Sequence, residues 1–129
     1  MEYYFSTISN TNFDDTKAKI IEALKTEGFG VLTEIDMQLK LKEKLGVDFK
    51  KYQILGACNP AFAYKALQVE EMVGVMLPCN IVVMDKENGT TEVAAINPIA
   101  SMMAIQNPAL EPLANEITEK LKRVIELLK

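Results

Sequence analysis

With 129 residues, 49% of them apolar and 25% charged, the chain is long enough to bury a core without disulfide or metal staples. Its net charge of −4 leaves no basic surplus to neutralise phosphates, which argues against nucleic acid and against anionic lipid. It has no histidine, which excludes Ser-His-Asp and Cys-His nucleophile systems and any zinc site that needs imidazole. The usual proton carrier near neutrality is therefore missing, and the expectation moves from enzyme toward binding module.

The start, Met-Glu-Tyr-Tyr-Phe-Ser, lacks the basic and apolar regions of a secretory signal. The longest apolar run, Val73 to Met84, is broken by Gly74, Pro78, Cys79 and Asn80 and is too short to span a bilayer as a helix. A cytoplasmic protein with two reduced thiols is expected. No repeat, linker or low-complexity stretch divides the chain, so residues 1–129 read as one domain.

In chain order, Tyr3 to Ser9 is aromatic and β-branched and predicts a strand, with Tyr3, Phe5 and Thr7 on one face and Tyr4, Ser6 and Ile8 on the other. Thr11 or Asn12 then caps a helix whose first turn carries Asp14 and Asp15. Phe13, Lys17, Ile20, Ile21 and Leu24 mark its buried side, with Lys17 at the edge, and Gly28 its stop. Phe29 to Met37 alternates, with Phe29, Val31, Thr33, Ile35 and Met37 pointing one way and Leu32, Glu34 and Asp36 the other. Met37, Leu41 and Leu45 space a short amphipathic helix that Gly46 ends.

Tyr52 to Ala57 is the third strand, and Asn59-Pro60 is a cap followed by a first-turn proline for a helix lined by Phe62, Ala63, Ala66 and Leu67. Val73 to Met84 reads as one buried strand. Asn88-Gly89 predicts a type I′ hairpin, and Thr90 to Ile96 returns as the last strand. After Asn97-Pro98 and an apolar segment to Ile105, Asn107-Pro108 opens a helix of about twenty residues. Its stripe is Leu110, Leu113, Ala114, Ile117, Leu121, Val124 and Leu128, with Glu116 and Glu119 pairing Lys120 and Arg123.

The sum is α+β: an antiparallel meander of about five strands, in the order β-α-β-(α)-β-(α)-β-β-α, with two long helices on one face. The other face keeps apolar residues. Either the two short helices shield it or a second copy covers it, and a homodimer is the simpler account.

The stretch from 54 to 84 holds both cysteines and two apolar runs. At Gly56-Ala57-Cys58-Asn59-Pro60, Ala63, Leu67, Gly74 and Leu77-Pro78-Cys79 the chain resembles the bacterial and archaeal family known as domain of unknown function 302. Gly28-Phe29-Gly30-Val31, Ile35-Asp36 and Leu41 to Gly46 extend the resemblance over nearly the whole chain. It implies a fold like that of the TATA-binding protein, often as a homodimer, and it brings no established activity. One departure stands out: Asn97-Pro98 occupies the place where Asp-Pro is expected.

If the strands that hold Cys58 and Cys79 are antiparallel neighbours, about 4.8 Å apart, the two sulfurs come within disulfide or shared-metal reach. The ligand-binding set is then Cys58, Asn59, Pro60, Pro78, Cys79 and Asn80, with Cys58 and Cys79 as metal ligands. Two thiolates suit a soft monovalent ion such as Cu(I) better than zinc, and twenty intervening residues match no zinc-finger spacing. Three readings stay open: a dimeric module for a small ligand or soft metal, a thiol redox enzyme or sensor, and an interaction protein with buried, inert cysteines. Glu70 and Glu71 read as solvated. Met72, Met76, Met102 and Met103 read as core filling rather than thioether ligands, and Tyr52 and Tyr64 as walls of a recess.

Overall fold

The computed structural model describes residues 1–129. Strand β1 (Tyr4–Ser9) leads to helix α1 (Phe13–Thr26), β2 (Gly30–Asp36) and the short α2 (Met37–Leu45). Strand β3 (Tyr52–Cys58), α3 (Pro60–Val69), β4 (Cys79–Asp85) and β5 (Thr91–Ile96) follow. A short α4 (Pro98–Met102) and the long α5 (Glu111–Glu126) close the chain. The sheet order is β1-β5-β4-β3-β2, antiparallel throughout, so β2 to β5 form a meander and β1 adds to its far edge.

Strand periodicity sends alternate residues to one face, and there Leu55, Ile81, Val83 and Val93 are fully buried beneath α1 and α5. Ile20 and Leu24 of α1 and Ile117, Leu121 and Val124 of α5 meet them. Of the predicted stripe, Ala114, Ile117, Leu121 and Val124 are buried on α5, with Thr118 and Ile125 added; Leu113 is half-buried, and Leu110 and Leu128 are buried just beyond the ends of the helix. Its predicted ion pairs are exchanged. Arg123 holds Glu27 at the end of α1 at 2.9 Å, Lys120 approaches the same carboxylate at 4.0 Å, and Glu119 takes Lys122 instead. Those links tie the two long helices together.

Asn12 is the N-cap of α1, accepting from Asp15 N at 2.8 Å. At the same corner the Thr11 carbonyl accepts from the hydroxyls of Thr16 and Thr91, at 3.2 and 2.9 Å, so the loop is hydrogen-bonded to both α1 and β5.

Three predicted elements differ. The run Val73 to Met84 is not one strand. Glu71–Met76 forms a 3₁₀ turn and β4 begins only at Cys79, after a cis Leu77-Pro78 bond. Apolarity alone does not separate a buried turn from a buried strand. The β4–β5 connection spans residues 86–90, with positive φ at Glu87 (61°) and Gly89 (86°), so it is a longer loop than the two-residue type I′ turn. The Asn88 side chain closes it by accepting from the Thr90 backbone N–H at 3.1 Å.

The alternation of β2 breaks at a bulge between Val31 and Thr33. Val31 pairs with Ala57 on the helix face, whereas Thr33 and Ile35 pair with Gly56 and Ile54 on the other. The bulge also turns Glu34 toward α1, where Lys17 binds it at 2.6 Å.

The second face of the sheet is open. Helix α2 touches β3 but buries none of its own residues, and α3 packs against the 3₁₀ turn and α5. Tyr4 and Ile8 of β1 and Ile35 of β2 stand exposed there.

Candidate functional site

Cys58 ends β3 and Cys79 begins β4, so both stand at the same end of the sheet. The register places Ala57, not Cys58, opposite Cys79; Cys58 pairs with Gly30 of β2. This corrects the expectation of side-by-side sulfurs, because a one-residue offset on a strand sends side chains to opposite faces. Both cysteines are free thiols. They nevertheless line one cavity of about 270 Å³, together with Leu32, Phe62, Ala63, Leu77 and Pro78.

Each wall has a local cause. Gly28 ends α1 in the left-handed conformation (φ 85°), which returns the chain into β2 without strain. A Cβ at that position would lie 3.2 Å from the Asn59 amide nitrogen, so the glycine also leaves room for Asn59. Asn59 donates through that nitrogen to the Glu27 carbonyl at 3.2 Å and accepts from Phe62 N at 3.3 Å. It caps α3 and joins it to the end of α1, and both ends of its amide are engaged.

Gly56 faces away from the long helices yet is buried, because Thr33 and Pro78 close over it. A Cβ there would collide with Thr33 Oγ1 and sit 2.8 Å from Pro78 Cγ. The glycine thus allows Pro78 to lie flat on β3 beside Cys58.

Cys79 is 6% exposed. Burial, with a smaller contribution from the neighbouring Cys58 thiol, raises its pKa to about 11, so at neutral pH it is a protonated thiol. It is a poor attacking nucleophile in that state. Cys58 is only partly buried and is the accessible member of the two.

Of the six residues expected to bind a ligand, four wall this cavity: Cys58, Asn59, Pro78 and Cys79. Pro60 occupies the exposed first turn of α3. Asn80 is exposed on the open sheet face, where it lines a groove of about 400 Å³ together with Tyr52. Tyr64 points to solvent, 67% exposed.

Glu71 is solvated, whereas Glu70 accepts from Asn107 Nδ2 at 3.1 Å. The methionines separate. Met72 and Met76 border a depression with Ile105, while Met102 and Met103 border another with Met1. No group of three or more Cys, Asp or Glu side chains is placed to hold a metal ion.

Leu32, Phe62, Ala63 and Leu77 were not among the expected site residues. Leu77 was legible as the first residue of Leu-Pro-Cys, whereas Leu32 reaches the cavity rim only because of the β2 bulge. Asn97, found where Asp was expected, is 6% exposed; it donates to the Glu2 carbonyl at 2.9 Å and accepts from Ile99 N at 3.1 Å. An aspartate could not make the first of these bonds.

No helix is long and apolar enough to cross a membrane. Among known proteins, an uncharacterised protein of Aquifex aeolicus (strain VF5) is 26% identical over 114 residues, covering 88% of this chain and 72% of the relative. The crystal structure of an uncharacterised conserved DUF302 protein from Bacillus stearothermophilus matches with a TM-score of 0.92 and 33% identity, covering all of both chains. The family model "Domain of unknown function DUF302" matches residues 5–128. A family model that covers residues 5–128 and a fold that matches that of a DUF302 protein over its whole length lead to one conclusion: the chain belongs to the DUF302 family.

Proposed function

We propose that the protein is a small-ligand-binding module, cytoplasmic and dimeric, whose site is the cavity between Cys58 and Cys79. The observation that carries this reading is the convergence on one cavity of Cys58 and Asn59, at the end of β3, with Pro78 and Cys79, at the start of β4. Its volume, about 270 Å³, lies just below the usual range for ligand sites, so the occupant is small. The walls are mostly hydrocarbon with two sulfurs, a lining that takes either a compact neutral molecule or a soft monovalent ion such as Cu(I). The raised pKa of Cys79 sets a condition on the ion: binding must displace the Cys79 proton, so uptake releases protons and strengthens as pH rises.

The test is a thermal melt of protein purified from its own host, with Ag(I) as a redox-stable probe beside a panel of small neutral compounds, together with native mass spectrometry. A ligand that prefers the native state raises the melting temperature. A 1:1 Ag(I) adduct that Cys79→Ala abolishes supports the ion, and a shift with a neutral compound alone supports the molecule. Protein that carries nothing from the host and shifts with nothing overturns the reading.

A further inference from the structure

The 3₁₀ turn Glu71–Met76 buries Val73 and leaves Met72 and Val75 outside, 69% and 76% exposed. A second 3₁₀ turn, Met103–Ile105, presents Met103 at 65%. Asn107 joins the two segments, donating to the Val69 carbonyl at 2.8 Å and to Glu70 at 3.1 Å, so they form one surface. Two recesses enter it. One, of about 300 Å³, is lined by Met72, Val75, Met76 and Ile105. The other, of about 450 Å³, is lined by Met102, Met103, Leu110 and Ala114 and exceeds the cysteine cavity in volume.

The same surface is acidic and lacks counter-ions. Glu70 borders the smaller recess and Glu111 the larger, and Glu71 and Glu116 follow directly on Glu70 and Asn115. None of these four carboxylates takes part in an ion pair. From residue 66 to residue 119 the one Lys or Arg is Lys86, and Glu92 on β5 holds it.

We propose that this surface docks a cationic, amphipathic peptide segment of another protein. Its apolar side chains enter the two recesses, and its Lys and Arg side chains meet the four carboxylates. Charge complementarity selects this occupant, because an apolar centre among unpaired carboxylates is the inverse of a basic amphipathic helix. Methionine suits the role, since its flexible, polarizable thioether repacks around aliphatic or aromatic anchors. The carboxylates repel nucleic acid and anionic lipid, and a neutral small molecule leaves them without a partner. No residue of the surface belongs to the Cys58–Cys79 cavity, so the proposal goes beyond the ligand site.

The experiment is calorimetric titration of the full chain with a synthetic Leu/Lys peptide of about sixteen residues, long enough to hold a helix with one apolar face. A scrambled peptide of the same composition serves as the control. The expected result is 1:1 binding of the amphipathic peptide and binding at least about tenfold weaker for the scrambled one. Met72→Ser combined with Val75→Ser should weaken the amphipathic peptide about tenfold or more, and both positions are exposed enough to leave the fold undisturbed. Glu71→Gln combined with Glu111→Gln should weaken it at low salt and much less at high salt. No binding overturns the inference, as does equal binding of the scrambled peptide or binding that survives Met72→Ser with Val75→Ser. Octylamine binding as tightly as the peptide overturns it too, since a small organic cation is then the occupant. Each of these results leaves the ligand melt of the cavity to stand or fall by itself.

Discussion

Burial sets the chemistry of Cys79, and its pH dependence follows from the sign of the shift. The folded chain holds the thiol proton up to about pH 11, against an ordinary value of 9.0. Such a group stabilises the fold fully below the unfolded pKa, and the contribution is lost as pH rises through that window. At about 1.4 kcal/mol per unit the loss is on the order of 2–3 kcal/mol. Urea unfolding at about pH 8.5 and about pH 10.5 should therefore show a steeper fall for wild type than for Cys79→Ala. Parallel falls in the two proteins would remove the burial argument. Gly56 makes the same point sterically. Gly56→Ala forces a methyl group against Thr33 and Pro78, and overpacking of this kind costs about 1–3 kcal/mol, read as a lower urea midpoint at unchanged slope.

At the scale of elements, asparagine caps organise the chain; those before Pro60 and Pro108 were legible from the proline that follows, whereas Asn97-Pro98 read only as a break after the last strand. Asn59-Pro60, Asn97-Pro98 and Asn107-Pro108 all accept a backbone N–H of the turn that follows. The second hydrogen bond of each was not legible, since it joins residues far apart in the chain: Asn59 to Glu27, Asn97 to Glu2, Asn107 to Val69. Asn59→Ala removes a cap and the tie to α1 together and should cost about 1–2 kcal/mol in urea unfolding. Asn59→Asp keeps the cap acceptor and should recover part of that loss. Asn97→Asp tests whether the family departure is structural. Its buried amide donates to a carbonyl that a carboxylate would repel, so the variant should be less stable at neutral pH and recover as the pH is lowered and the new carboxyl protonates. A variant equally stable at both pH values would show that the Glu2 bond contributes nothing.

For the whole molecule, the faces of the long helices and the existence of the strands were legible from periodicity, because α1, α5, β4 and β5 each bury one regular stripe, whereas the place of β1 beside β5 rather than in a five-strand meander was not. The site was legible only as a neighbourhood. A β2 bulge, a 3₁₀ turn and a one-residue offset decide which side chains reach the cavity, and none of these is written in a 2.0 or 3.6 repeat. The dimer of the proposed function has its own signature: a dimer that unfolds to two chains should melt about 2–3 °C higher for each tenfold rise in protein concentration. The cavity and the methionine-lined surface share no residue, yet one segment joins them. The 3₁₀ turn that carries Met72 and Val75 runs directly into Leu77 and Pro78 of the cavity wall. That continuity separates two behaviours in a melt. If the cavity acts alone, its ligand shift should be the same with and without saturating amphipathic peptide. A shift that shrinks with the peptide bound would instead mean that docking moves Leu77 and Pro78 against the cavity, and Met72→Ser combined with Val75→Ser should then restore it.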